Sequence, residues 1–97
     1  MMTVVTDSQV QFYREWLMSR GKFEPPEFGV NMSKDDFDDL MVEEFHGAYR
    51  DTWSIDELLL HPREASRFCD DVRRKHGFFN LPDDIILRVI LGRRKHP

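Results

Sequence analysis

A single cysteine, Cys69, stands in the chain of 97 residues. No intramolecular disulfide can form, which excludes a small disulfide-stapled scaffold. Long hydrophobic runs are missing as well. Stretches such as Ile85-Ile86-Leu87 fall far short of the ~20 apolar residues that a membrane-spanning helix needs. Residues 1–8 show no basic region followed by an apolar run, so no secretory signal is expected. A reducing cytoplasm is the expected location, with no membrane contact. No segment is low in complexity, and nothing repeats at a solenoid period. A basic excess is absent too: 18 acidic side chains face 14 basic ones, a net charge of −4. That balance argues against wholesale coating of nucleic acid.

What is present describes a globular domain. Apolar residues make up 40% and aromatics 12%, with eight Phe and two Trp, which is too apolar for a disordered tail. The length suits one domain over residues 1–97, burying roughly 60–65% of its unfolded surface around one modest core. The charge changes sign along the chain. Residues 1–60 carry 13 acidic and 5 basic side chains, a net −8, while residues 61–97 carry 5 and 9, a net +4.

Helical spacing recurs from end to end. Val10, Tyr13, Trp16 and Leu17 share one face of a first helix at about 8–20, with Thr6 or Asp7 as its cap and Gly21 at its end. Residues 22–32 form a connector. Pro25-Pro26 favours an extended path there, pinned to the core by Phe23, Phe28 and Val30. Ser33-x-x-Asp36 opens a second helix with Phe37, Leu40, Met41, Phe45 and Ala48 as its stripe, ending near Gly47 or carrying it in a last loose turn. Ser54-x-x-Glu57 opens a short third helix. Pro62 begins a fourth, with Ala65, Phe68, Cys69 and Val72 facing inward and Gly77 closing it. A fifth starts near Pro82, buries Ile85, Ile86, Val89 and Ile90, a face that Leu87 and Leu91 widen, and leads into a basic tail at 92–97. The fold class is therefore all-α, a single-domain bundle of four to five helices. Short connections favour packing between sequence neighbours.

Catalytic signatures are lacking. There is no Gly-rich phosphate loop, no nucleophile elbow and no Cys/His spacing of a zinc site. Glu43-x-x-His46 has half the spacing of a di-iron bundle, but the second half is missing. The run Asp35-Asp36-Phe37-Asp38-Asp39 lacks the glycine and the distant glutamate of a calcium loop. Cys69 belongs to an apolar stripe rather than beside a base. No enzyme activity, metal or cofactor is expected.

The expected function is protein interaction, or self-association, through opposite charges. The acidic face offers Asp35, Asp38, Asp39 and Glu43, and the basic segment offers Arg93, Arg94 and Lys95. Trp16, Trp53, Phe78 and Phe79 are candidate anchors, each also suited to the core. The alternative is a nonspecific nucleic-acid contact by the basic C-terminal half, with Arg73, Arg74, Lys75, Arg88, Arg93, Arg94 and Lys95 on phosphates. A helix-turn-helix over the last two helices fits poorly, because Asp83 and Asp84 would occupy the base-reading end.

Overall fold

Side-chain caps written into the sequence start two of the helices. Ser33 accepts a hydrogen bond from the Asp36 N–H at 3.2 Å and opens α2 (Lys34–Tyr49). Ser54 accepts one from the Glu57 N–H at 3.2 Å and opens α3 (Ile55–Leu59). Both satisfy donors that the first helical turn leaves unpaired. Pro62 fills the first position of α4 (Pro62–His76), where a missing N–H costs nothing. Gly77 ends α4 with φ of 73°, a left-handed conformation that strains any residue bearing a Cβ. Asp83 and Asp84 lie in the first turn of α5 (Asp83–Lys95), near its positive dipole end. With α1 (Asp7–Ser19) these make five α-helices, and the described residues contain no strand. This is a computed structural model that describes residues 7–19, 23–50 and 52–95. Thr6, Arg20, Gly21 and the tail beyond Lys95 lie outside the described residues, as do the side chains of Asp7, Val10, Arg94 and Lys95.

Three local features depart from the sequence expectation. Residues 92–95, expected as the start of a basic tail, continue α5 to Lys95. Pro25-Pro26 does not run extended but opens a 3₁₀ turn over Pro25–Phe28. The φ that proline imposes suits a first helical turn as well as an extended strand. The turn is tied by the Glu24 N–H, which donates to the Glu27 carboxylate at 2.6 Å, and closed by Gly29 at φ of 76°. Phe23 and Val30 are nonetheless buried and Phe28 packs on the core, so the segment is the expected strap. In α2, Gly47 lies inside the helix and Ala48 is exposed. Ala48 shares the helical face of Phe37 and Phe45. The last turn of α2 lines an open groove with α4, and Ala48 faces that groove.

Burial explains the architecture. In α5, Ile85, Ile86, Leu87, Val89, Ile90 and Leu91 are all buried. At 100° per residue they cover about 240° of the helix circumference. A helix that is apolar around most of its girth must sit inside other elements. α1, α2, α3 and α4 accordingly all pack on α5, and α1 and α2 find their main partner there rather than in each other. Aromatic contacts close the remaining space. Phe37 meets Phe23 edge-on at 5.7 Å and Phe78 at 6.5 Å, linking α2, the strap and the α4–α5 turn. Phe45 meets Phe68 edge-on at 6.1 Å, joining α2 to α4. The radius of gyration, 13.0 Å, equals the ~13 Å expected of one 100-residue domain, so a single core accounts for the body.

Candidate functional site

Of the predicted acidic and basic residues, the described structure brings one pair together, Asp39 and Arg93. Arg93 pairs with Asp39 at 2.7 Å, joining α5 to α2. Lys34 Nζ donates to both carboxylate oxygens of Asp38 at 2.6–2.7 Å, one turn along α2. Lys75 and His76, at the end of α4, meet Glu44 at 3.0 and 3.2 Å. Burial alone would push the Glu44 carboxyl up, but the hydrogen bonds from Lys75 and His76 outweigh it and the net shift is downward. Asp35 and Glu43 remain exposed, with no ion pair among the described residues.

Arg73 is committed to the fold. Its guanidinium donates to the Leu81 carbonyl at 3.0 Å and to the carboxylates of Asp70 and Asp83. One planar fork thus ties the end of α4 to the turn and to the start of α5. Arg74 pairs with Asp71 at 3.4 Å on the same helix. With Lys75 and Arg93 also engaged, four of the basic side chains proposed for phosphate contact have acidic partners within the chain. In α5 the residues Ile85, Ile86, Leu87, Val89, Ile90 and Leu91 form the core, while Asp83 and Asp84 at its start and Arg88 are half-buried.

Groups with chemical potential are scattered. Cys69 is buried, its S–H directed at the Asp83 carbonyl at 3.8 Å. Burial, then the Asp83 carboxylate, pushes the thiol strongly up, away from the thiolate that nucleophilic attack requires. Tyr49 donates to Glu64 at 2.9 Å across the α2–α4 groove. Burial and that hydrogen bond raise its hydroxyl well above the usual tyrosine range. Glu43 and His46 line the same groove. Among the described residues no three of His, Cys, Asp and Glu converge on a position that could hold a metal ion. No helix among them is long and apolar enough to cross a membrane.

The aromatic candidates separate into two groups. Trp53 and Phe78 pack on the core, Trp53 stacked on His61 at 4.6 Å and on Tyr49 at 5.8 Å. Trp16 and Phe79 are exposed, by 43% and 75%. The sequence pattern missed Phe12, which is 72% exposed. Its signal was present: Phe12 falls outside the Tyr13–Leu17 stripe, on the face that spacing assigns to solvent.

Phe12 and Trp16 sit four residues apart on α1 and therefore adjoin. Trp16 stacks on Tyr13 at 5.8 Å, and Tyr13 in turn forms one wall of a cleft of about 330 Å³. Leu59, Pro62, Ala65 and Leu87 make most of the remaining wall, with Gln9, Ser66 and Asp83 at its polar edge. Burial and the neighbouring Asp84 and Asp83 carboxylates raise the Tyr13 hydroxyl above its ordinary range, so it stays neutral. An apolar path thus runs from the cleft, over Tyr13 and Trp16, to Phe12. The solvent face of α1 is otherwise Ser8, Gln9, Gln11, Glu15 and Ser19, with one charge. Among the described residues, this face holds two of the three exposed large hydrophobic side chains, Phe12 and Trp16. That is the compositional mark of a protein contact. No protein-family model, curated protein or solved structure matches the chain.

Proposed function

We propose that this chain is a non-enzymatic protein-binding module whose principal contact is the solvent face of α1 with its adjoining cleft. The observation that carries the reading is Phe12, 72% exposed beside Trp16 on a face with one charged side chain. Large aromatic anchors flanked by a pocket are where interfaces concentrate their binding energy. The charged surfaces play a secondary part. Asp38, Asp39 and Arg93 are engaged within the chain, which leaves Asp35 and Glu43 as rim charges that steer a partner more than they hold it. The non-enzymatic reading is supported by the burial of the one thiol, whose protonated form is favoured, and by the dispersal of the other reactive groups.

Capture from an extract of the source cell, with the immobilised chain and two variants, tests the proposal. Phe12→Lys is expected to lose the partner, while the double variant Asp35→Lys/Glu43→Lys retains it with slower association. Equal recovery by wild type and Phe12→Lys refutes the assignment of the face. Loss with the charge-reversed variant alone moves the contact to α2.

A further inference from the structure

The geometry points to a carboxylate-binding site in the cleft between α2 and α5, with Arg88 as its anchor. None of its residues belongs to α1, so the site does not depend on the α1 face being a protein contact.

Arg88 is the exception among the cations of this fold. Its Nε is buried without a hydrogen-bond partner, the one such side-chain atom among the described residues. Its guanidinium holds no carboxylate of the chain. Every other half-buried lysine or arginine among the described residues holds one. Arg14 pairs with Asp56, Lys34 with Asp38, Arg73 with Asp70 and Asp83, and Arg93 with Asp39. Arg50, Arg63 and Arg67 also lack a carboxylate, but they are exposed and water solvates them. Withdrawing a guanidinium from water without a counter-charge is costly. A buried polar group left unmatched by its own chain calls for a partner from outside it.

The surroundings give that partner a place. Arg88 lines a cleft of about 300 Å³ whose other walls are Lys34, Asp38, Val89, Gly92 and Arg93. Lys34, Asp38 and Arg88 also border a second cleft, of about 540 Å³, on the side of the strap. A methyl group added at Gly92 would meet nothing within 4 Å, so the first cleft is open above that glycine. Its volume is at the small end of ligand sites, which suits one small functional group with a short apolar stem against Val89.

Charge balance selects the ligand. Lys34 and Asp38 cancel each other, and so do Arg93 and Asp39. Arg88 is left with a single positive charge, which a single negative charge completes. A phosphate dianion brings an excess, and Glu24, Glu27 and Asp35 in the neighbouring cleft repel it. A planar carboxylate carries one charge and matches the guanidinium fork through two parallel N–H···O bonds. That carboxylate belongs either to a free organic acid or to an acidic side chain of a partner protein, and the chemistry at Arg88 is the same for both.

Nuclear magnetic resonance on the nitrogen-15-labelled chain tests the site, with acetate replacing chloride at constant ionic strength. The Arg88 Nε–H and Gly92 amide resonances are expected to shift saturably, with a Kd of about 1–50 mM. Inorganic phosphate at neutral pH should bind at least ~5-fold more weakly. Arg88→Met should abolish the Gly92 shift, with helical circular dichroism unchanged because no ion pair is lost. Gly92→Leu keeps Arg88, favours helix and fills the cleft, and should weaken binding at least ~10-fold. Arg63→Met, at an exposed arginine, should leave it within ~2-fold. A terminally blocked glutamate peptide and butanoate share the carboxylate and a short methylene stem. Tighter binding of the peptide assigns the site to a partner protein, and equal or tighter binding of butanoate assigns it to a free organic acid. The absence of a saturable shift up to ~200 mM acetate overturns the inference. So does phosphate binding as tight as acetate binding, or a Gly92 shift that survives in Arg88→Met.

Discussion

Replacing Phe37 by alanine is the sharpest test of how this fold is held together. Phe37 is fully buried on α2 and touches rings from two other segments, Phe23 of the strap and Phe78 of the α4–α5 turn. Truncating a buried phenylalanine costs roughly 3–5 kcal/mol in lost burial and residual cavity. The edge-on contact with Phe23 places Phe37→Ala in the upper part of that range, because an aromatic pair adds about 0.5–1.5 kcal/mol beyond area. The whole domain is worth only about 5–15 kcal/mol at this length. At about 4–5 kcal/mol, a fall in Tm of roughly 16–40 °C follows, at about 4–8 °C per kcal/mol for a chain of this size. Urea unfolding followed by far-ultraviolet circular dichroism measures the loss. The companion is Phe12→Ala, which removes a ring of the same size from an exposed site and should change stability by no more than ~0.5 kcal/mol. A loss under ~1.5 kcal/mol for Phe37→Ala, or equal losses for the two variants, would refute the placement of Phe37 at the junction of three segments.

Other outcomes follow from single features. Gly47→Ala should stabilise by about 0.5–1 kcal/mol, since Gly47 is within α2 and an added methyl group meets nothing within 4 Å. Gly77→Ala should destabilise by about 1–2 kcal/mol, because φ there is 73° and the nearest atom to a new methyl, on Phe79 at 3.9 Å, causes no clash, leaving backbone strain as the cause. Thermal melts of the pair check both signs. The folded-state Glu44 carboxyl is held below its ordinary value, so its contribution is present above that value and lost as pH falls through the lowered one. Glu44→Gln should therefore flatten the acid side of the stability profile between pH 5 and 3 by up to ~1 kcal/mol, read from urea midpoints at each pH. Cys69 should react with an aromatic disulfide reagent at least ~100-fold more slowly in the native chain than in urea, and rapid native labelling would contradict its burial.

Much of the local structure was written in the sequence, and for physical reasons that act over a few residues. Ser33 and Ser54 cap helices because a hydroxyl three residues before an amide can satisfy it whatever the rest of the chain does. The stripe Ala65, Phe68, Cys69 and Val72 is buried as its spacing required. Gly77 ends α4 because glycine enters the left-handed region without a Cβ penalty. The all-α class follows from these local choices together.

The sequence could not decide which helix lies at the centre. The wide apolar girth of α5 was visible, but only packing shows that four helices share it and that α1 and α2 meet through it. Nor could spacing show that Ala48, on a buried face, ends in an open groove, or that Pro25-Pro26 turns rather than extends. The acidic and basic segments read along the chain as two patches looking for a partner. In three dimensions Asp39 meets Arg93 and Glu44 meets Lys75, because ion pairs between residues 31 and 54 positions apart depend on how helices pack, not on local order. Charge counting also could not reveal the exposed aromatic side of α1. Its exposure is set by where α5 stops covering its neighbours, and that is a property of the tertiary structure alone.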